Sequence, residues 1–95
     1  MHTNVTVPVV IYTSALCGYC LMAKRLLAGK GVAFEQRLVD GDPVLRAEMV
    51  ARSGLTSVPQ IFIGRRHVGG CDELYALARN GHLDALLAGT GVPAP

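Results

Sequence analysis

Charge of one sign is nowhere concentrated in this chain: nine Lys and Arg are scattered among seven Asp and Glu, for a net +2. No basic stripe or tail marks a nucleic-acid footprint, although a slight positive balance favours small anions. Long hydrophobic runs are also missing. The longest, Val7 to Tyr12, is interrupted by Pro8 and falls far short of the roughly 20 residues that a membrane span needs. The opening residues Met1-His2-Thr3-Asn4 carry no Lys or Arg to form the charged start of a secretory signal, so the expected compartment is the cytoplasm. Cysteines number three, too few and of the wrong parity for a secreted disulfide framework. Charged residues are only 17% against 51% apolar, a balance that excludes disorder over most of the chain.

What remains is a folding unit of 95 residues, the size of one domain that buries roughly 60 to 65% of its unfolded surface. The short run Val9 to Tyr12 reads as a strand buried on both faces. A helix is expected from about Gly18 to Lys30, with Cys20, Ala23 and Leu27 on its buried stripe. A second strand is expected over Ala33 to Leu38. Asp42 as cap and Pro43 at the first helical position start a second helix that stops at Ser53-Gly54. Gln60 to Ile63, the turn Gly64-Arg65-Arg66 and the short strand His67-Val68 make a hairpin that Gly69-Gly70 breaks. A helix from Cys71 or Asp72 to Asn80 and a short one over Leu83 to Leu87 complete the chain. Residues 1–6 and 90–95 are expected to be frayed ends. The order β-α-β-α-β-β-α predicts an α/β fold with a four-stranded mixed sheet flanked by helices, because a βαβ crossover makes its strands parallel and a hairpin makes its strands antiparallel.

The chemistry gathers in three short segments. Cys17-Gly18-Tyr19-Cys20 lies where the first strand hands over to the first helix. There Cys17 faces unsatisfied N–H groups and the positive end of the helix dipole, which favour its thiolate. Cys20, one turn on and on the buried stripe, is a sheltered partner whose thiol burial should hold protonated. The competing use of the motif is half of a Cys₃His zinc set completed by His67 and Cys71. Such knuckles sit in turns rather than between a buried strand and an amphipathic helix, so redox chemistry is the favoured reading. Ser57-Val58-Pro59 precedes the third strand. Pro59 cannot donate to the ladder, and a cis bond there would line a site with the preceding backbone. Gly69-Gly70-Cys71-Asp72 leads into a helix amino terminus that suits a carboxylate, while Asp72 suits an ammonium. Both groups together describe the end of an α-amino acid. A plainer use of Asp72, compatible with the first, is to cap the helix.

With these residues the chain resembles the glutaredoxins, and most closely the small bacterial glutaredoxin 3 type. The likeness covers Val9 to Leu87 and rests on Ile11-Tyr12-Thr13, Cys17-Gly18-Tyr19-Cys20, Thr56 to Ile63 and Gly69 to Leu74. It implies a thioredoxin fold and a glutathione-disulfide oxidoreductase that reduces protein disulfides and glutathionylated mixed disulfides. Cys17 would be the nucleophile and Cys20 the resolving thiol. Tyr19, Ser57, Val58, Pro59, Gly70, Cys71 and Asp72 would bind glutathione, Cys71 through its backbone N–H. Two positions depart from the family pattern: Gly18 stands where proline is usual, loosening the loop, and Ser14 stands where a lysine is frequent. The missing lysine leaves the task of attracting glutathione to the helix amino terminus, Lys24 or an arginine.

Glutathione is the expected reductant and the chain is expected to act as a monomer, with no tightly bound cofactor, nucleic acid or membrane. Two alternatives stand beside this reading. One is a thioredoxin-like reductase that does not use glutathione, against which the absence of tryptophan counts. The other is a dimer holding a [2Fe–2S] cluster on Cys17 from each chain and two glutathiones.

Overall fold

The computed structural model describes residues 7–89, and the two ends expected to fray lie outside them. Strand β1 (Val9–Thr13) leads into α1 (Gly18–Gly29), then β2 (Glu35–Leu38), α2 (Pro43–Ser53), the hairpin β3 (Gln60–Ile63) and β4 (Arg66–Gly69), α3 (Cys71–Arg79) and α4 (His82–Ala88). One four-stranded sheet has the order β2-β1-β3-β4. β1 runs parallel to β2 and antiparallel to β3, which pairs antiparallel with β4. The mixed sheet is thus the one the element order demands.

The period of two along the strands divides the core. Val9, Ile11, Ile61 and Ile63 face Ala23 and Leu27 of α1 and Leu74 of α3, a cluster without a charged member. Tyr12 and Phe62 point the other way, onto Met49 of α2 and Val39. This second face carries polar groups as well. The buried Tyr12 hydroxyl donates to Glu48 and accepts from Arg52 at 2.7 Å and Arg37 at 3.1 Å. The Arg52 guanidinium lies 4.1 Å over the Phe62 ring. Hydrogen bonds from Tyr12 and then Arg37 hold the Glu48 carboxyl below its ordinary range.

Helix α2 starts as its sequence dictates: Asp42 accepts from the Leu45 amide at 3.0 Å, Pro43 occupies the first turn, and Gly54 closes the helix at φ 75°. Two expected strand limits change. β2 begins at Glu35 instead of Ala33 and leaves Leu38 exposed, because an edge strand has a partner on one side only. β4 runs from Arg66 through Gly69, longer at both ends than His67-Val68, and Gly69 pairs with Ile61 instead of breaking the strand. Between Ile61 and Phe62 the register slips by one residue, so β4 contains a bulge. Such a bulge re-aims the chain that follows it.

Candidate active site

The carboxyl ends of β1 and β2, the start of β3 and the end of β4 share one edge of the sheet. The loops leaving that edge carry all three segments singled out from the sequence. Cys17 is the N-cap of α1, and its sulfur accepts the Cys20 backbone N–H at 3.1 Å. A thiol or thiolate here does what Ser or Asp does at other helix starts, so the motif spacing places the sulfur on an orphan amide. On its other side the sulfur meets the Val58 carbonyl at 3.9 Å, and the Val58–Pro59 peptide bond is cis.

Cys20 lies on the buried stripe with Ala23 and Leu27. Burial, then its hydrogen bond with Cys17 and the charge there, push its thiol up to about 12. A backbone hydrogen bond from Ser14 and the charge of Lys24 oppose the rise. The pair is asymmetric: Cys17 is partly exposed and Cys20 is buried, and neither is in a disulfide.

The loop ahead of Cys17 is held by a residue that the sequence did not single out. Asp40 accepts from the Ser14 hydroxyl at 2.6 Å and from the Ala15 amide at 2.8 Å, and these two bonds hold its carboxyl below the ordinary range. Ser14, in the place of the family's lysine, therefore turns to Asp40. Lys24, one candidate for that lysine's task, donates to Gln36 at 2.7 Å.

A cavity of about 230 Å³ opens beside Cys17 and Val58, lined by Tyr19, Ser57, Val58, Pro59, Gly70, Cys71, Asp72 and Glu73. Seven of these are the residues that the family resemblance implied would bind glutathione, and Glu73 is new. Glu73 also corrects the reading of Asp72 as a helix cap. The N-cap of α3 is Gly70, whose N–H donates to Glu73 at 2.8 Å, and no bond of this kind ties Asp72. The G-x-x-E spacing was the available signal, since a carboxylate three residues into a helix folds back onto the N-cap amide. Gly69 makes room for that fold: its φ is +117°, and a Cβ there would stand 3.0 Å from the Glu73 side chain. Cys71 is buried, and burial followed by the negative charge of Asp72 raises its thiol.

Among the described residues no three His, Cys, Asp or Glu side chains gather to hold a metal ion. His67, the candidate fourth member of the zinc set, is engaged elsewhere. Its Nε2 lies 2.7 Å from the side-chain oxygen of Gln60, and its ring stacks on Phe62 at 4.9 Å.

A half-exposed sulfur on a helix amino terminus, a buried thiol one turn later and a cis-proline loop across from them, on a four-stranded mixed sheet, define a thiol–disulfide oxidoreductase of the thioredoxin fold. The comparisons narrow the class. The glutaredoxin family model matches residues 9–68. A glutaredoxin of Pseudomonas aeruginosa is 60% identical over 81 residues, covering 85% of this chain and 96% of the relative. Glutaredoxin 3 of Escherichia coli is 56% identical over 77 residues, covering 81% of this chain and 93% of the relative. A crystal structure of a buckwheat glutaredoxin–glutathione complex superimposes with a TM-score of 0.80 at 31% identity, covering 96% of this chain and 84% of that one. This chain belongs to the glutaredoxin family.

Proposed function

We propose that this protein is a glutathione-dependent oxidoreductase that reduces protein disulfides and glutathionylated mixed disulfides, acting as a monomer in the cytoplasm. The observation that carries the reading is the pairing of the Cys17 sulfur, set on the Cys20 amide, with an adjoining cavity that ends in the α3 amino terminus and the Asp72 carboxylate. Glutathione presents what such a groove accepts. The Val58 backbone pairs with its cysteine and Tyr19 walls one side. Ser57, Pro59 and Gly70 complete the lining. The first-turn amides of Cys71 and Asp72, which have no intrahelical partner, take the γ-glutamyl carboxylate, and the Asp72 carboxylate takes its ammonium. The glutathione complex of the buckwheat relative supports this choice of ligand.

On a mixed disulfide, the Cys17 thiolate attacks the glutathione sulfur. A bond forms between those sulfurs, the old S–S bond breaks, and the substrate leaves as a thiolate that takes a proton from water. A second glutathione thiolate then attacks the bound glutathione sulfur, releasing oxidised glutathione and restoring the Cys17 thiolate. On a protein disulfide, Cys17 forms the mixed disulfide and Cys20 displaces the substrate, leaving a Cys17–Cys20 disulfide that two glutathiones reduce. The hydrogen bond and charge from Cys17 that help keep Cys20 protonated vanish once Cys17 is bound in a mixed disulfide. Burial, the larger cause, remains, so the first step eases the deprotonation of Cys20 without removing its shelter.

The test is a glutathione-coupled assay on a small mixed disulfide. The rate should saturate in glutathione and fall to background in Cys17→Ser. A rate sustained by a flavoprotein reductase but not by glutathione would move the chain to the thioredoxin-like alternative. A [2Fe–2S] cluster shared by two chains is favoured by one observation, that Cys17 alone of the three thiols is not buried. Cys17 would hold the iron with a glutathione thiolate. Anaerobic reconstitution should then yield a coloured dimer that Cys17→Ser loses and Cys20→Ser keeps.

A further inference from the structure

Gln60 is 2% exposed, one of two buried polar residues in the described chain, and stands in the otherwise apolar strand Gln60-Ile61-Phe62-Ile63. Its amide nitrogen donates to the Ser57 carbonyl at 3.1 Å and approaches the Ser57 hydroxyl at 3.3 Å. Its oxygen faces His67 Nε2 at 2.7 Å. A carbonyl can only accept, so the NH₂ group must face Ser57 and the oxygen must face the ring, which places the His67 proton on Nε2. The reversed amide would set its oxygen against the Ser57 carbonyl oxygen. The bulge between the Ile61 and Phe62 pairings aligns His67 with Phe62, the ring on which it stacks. A buried amide is worth its desolvation only where its hydrogen bonds define a geometry.

We propose that Gln60 is a positioning residue of the groove: its side chain ties the Ser57-Val58-Pro59 arm to His67 on β4, fixing the backbone that ligand must pair with. The inference rests on the glutathione reading for its kinetic consequence, but its structural content stands apart. His67 acts through Gln60 and is not itself a residue of the groove lining. The arm Gln60 holds carries the Val58 carbonyl, 3.9 Å from the Cys17 sulfur, so Gln60 sets the distance between the two walls.

The experiment compares Gln60→Leu, which removes the donor and acceptor at similar volume, with His67→Phe, which keeps the stack on Phe62 and removes only the donor to Gln60. Val50→Ala, in the same α2-side core, serves as the destabilised control. For Gln60→Leu, which loses the bonds to both Ser57 and His67, we expect the KM for glutathione to rise about tenfold, with kcat within about twofold. For His67→Phe we expect a rise of about threefold. Backbone ¹⁵N order parameters at Ser57 and Val58 should fall in both variants and not in Val50→Ala. If Gln60→Leu does not fold, His67→Phe carries the test alone. Unchanged order parameters in the folded variants, or an equal KM rise in Val50→Ala, would overturn the proposal. Wild-type protein inactive with glutathione would overturn the functional reading, and the order parameters would still decide this one.

Discussion

The two walls of the site are built by different means. The wall on β1 and α1 places a single atom, the Cys17 sulfur, and governs it with one backbone amide, one buried neighbour and the Asp40 clamp. The wall on β3, β4 and α3 places a surface: the Ser57 to Pro59 arm, the free amides of a helix start and the Asp72 carboxylate. The first wall controls reactivity, so damage there falls on kcat. The second offers contacts to a ligand both before and during reaction, so damage there falls first on KM.

The largest effect expected within the first wall is a split between substrates. Cys20→Ser should lose at least about a hundredfold in activity on protein disulfides, because no thiol remains to displace the substrate, yet keep activity on a glutathionylated substrate, which needs only Cys17 and free glutathione. Equal loss on both substrates would erase the distinction between nucleophile and resolving thiol. The counterpart on the second wall is Asp72→Ala. It should lose about 1 to 3 kcal/mol in kcat/KM, mostly through KM, since one charge-assisted contact disappears. Its thermal midpoint should barely move, because Glu73, not Asp72, bonds the N-cap amide. A large midpoint drop with unchanged kinetics would return Asp72 to a purely structural role.

A pH series sharpens the account of burial. The Cys20 thiol is raised to about 12 in the fold, whereas an unfolded cysteine titrates near about 8.5. Below about 8.5 both states are protonated and the contribution is whole. Above it the unfolded chain sheds the proton first, and stability falls until the folded thiol titrates as well. Relative to Cys20→Ala, the reduced wild type should lose about 1 kcal/mol per pH unit between roughly pH 9 and 11, measured by urea unfolding. Parallel curves would show that the thiol is not desolvated.

The smallest expected effect is at Gly18. It occupies the first position of α1, and a Cβ there would meet nothing within 4 Å. Proline suits that position of a helix. Gly18→Pro should therefore stabilise the fold by about 0.4 to 1 kcal/mol through the unfolded chain and preserve reductase activity, while suppressing any cluster that depends on freedom around Cys17. Equal cluster loading in both proteins would remove the role given to the glycine.

How much was legible follows from the reach of each interaction. The Cys17 cap bond spans three residues, and so does the bond from Gly70 to Glu73. Both lie within one helical turn, where spacing alone determines who can meet whom. The Asp72 cap was misread at this same range, because two carboxylates stood near one amide and only the backbone path decided between them. Asp40 and Ala15 are 25 residues apart and His67 and Gln60 sit on different strands. No local pattern announces either contact.

By itself, the sequence determined the strands and helices, their order, the mixed sheet that the order forces, a thiol pair at a helix start, a proline at the start of the third strand and a glycine-rich turn before a helix. All of these follow from backbone geometry repeated over a few residues. The tertiary structure alone decided that three loops from one sheet edge meet around a single cavity, and that Ser14 turns to Asp40. It also decided that the bulge in β4 sets His67 opposite Phe62, within reach of Gln60. Those outcomes depend on strand register and on which buried polar atoms find partners, and both are settled only when the whole sheet packs.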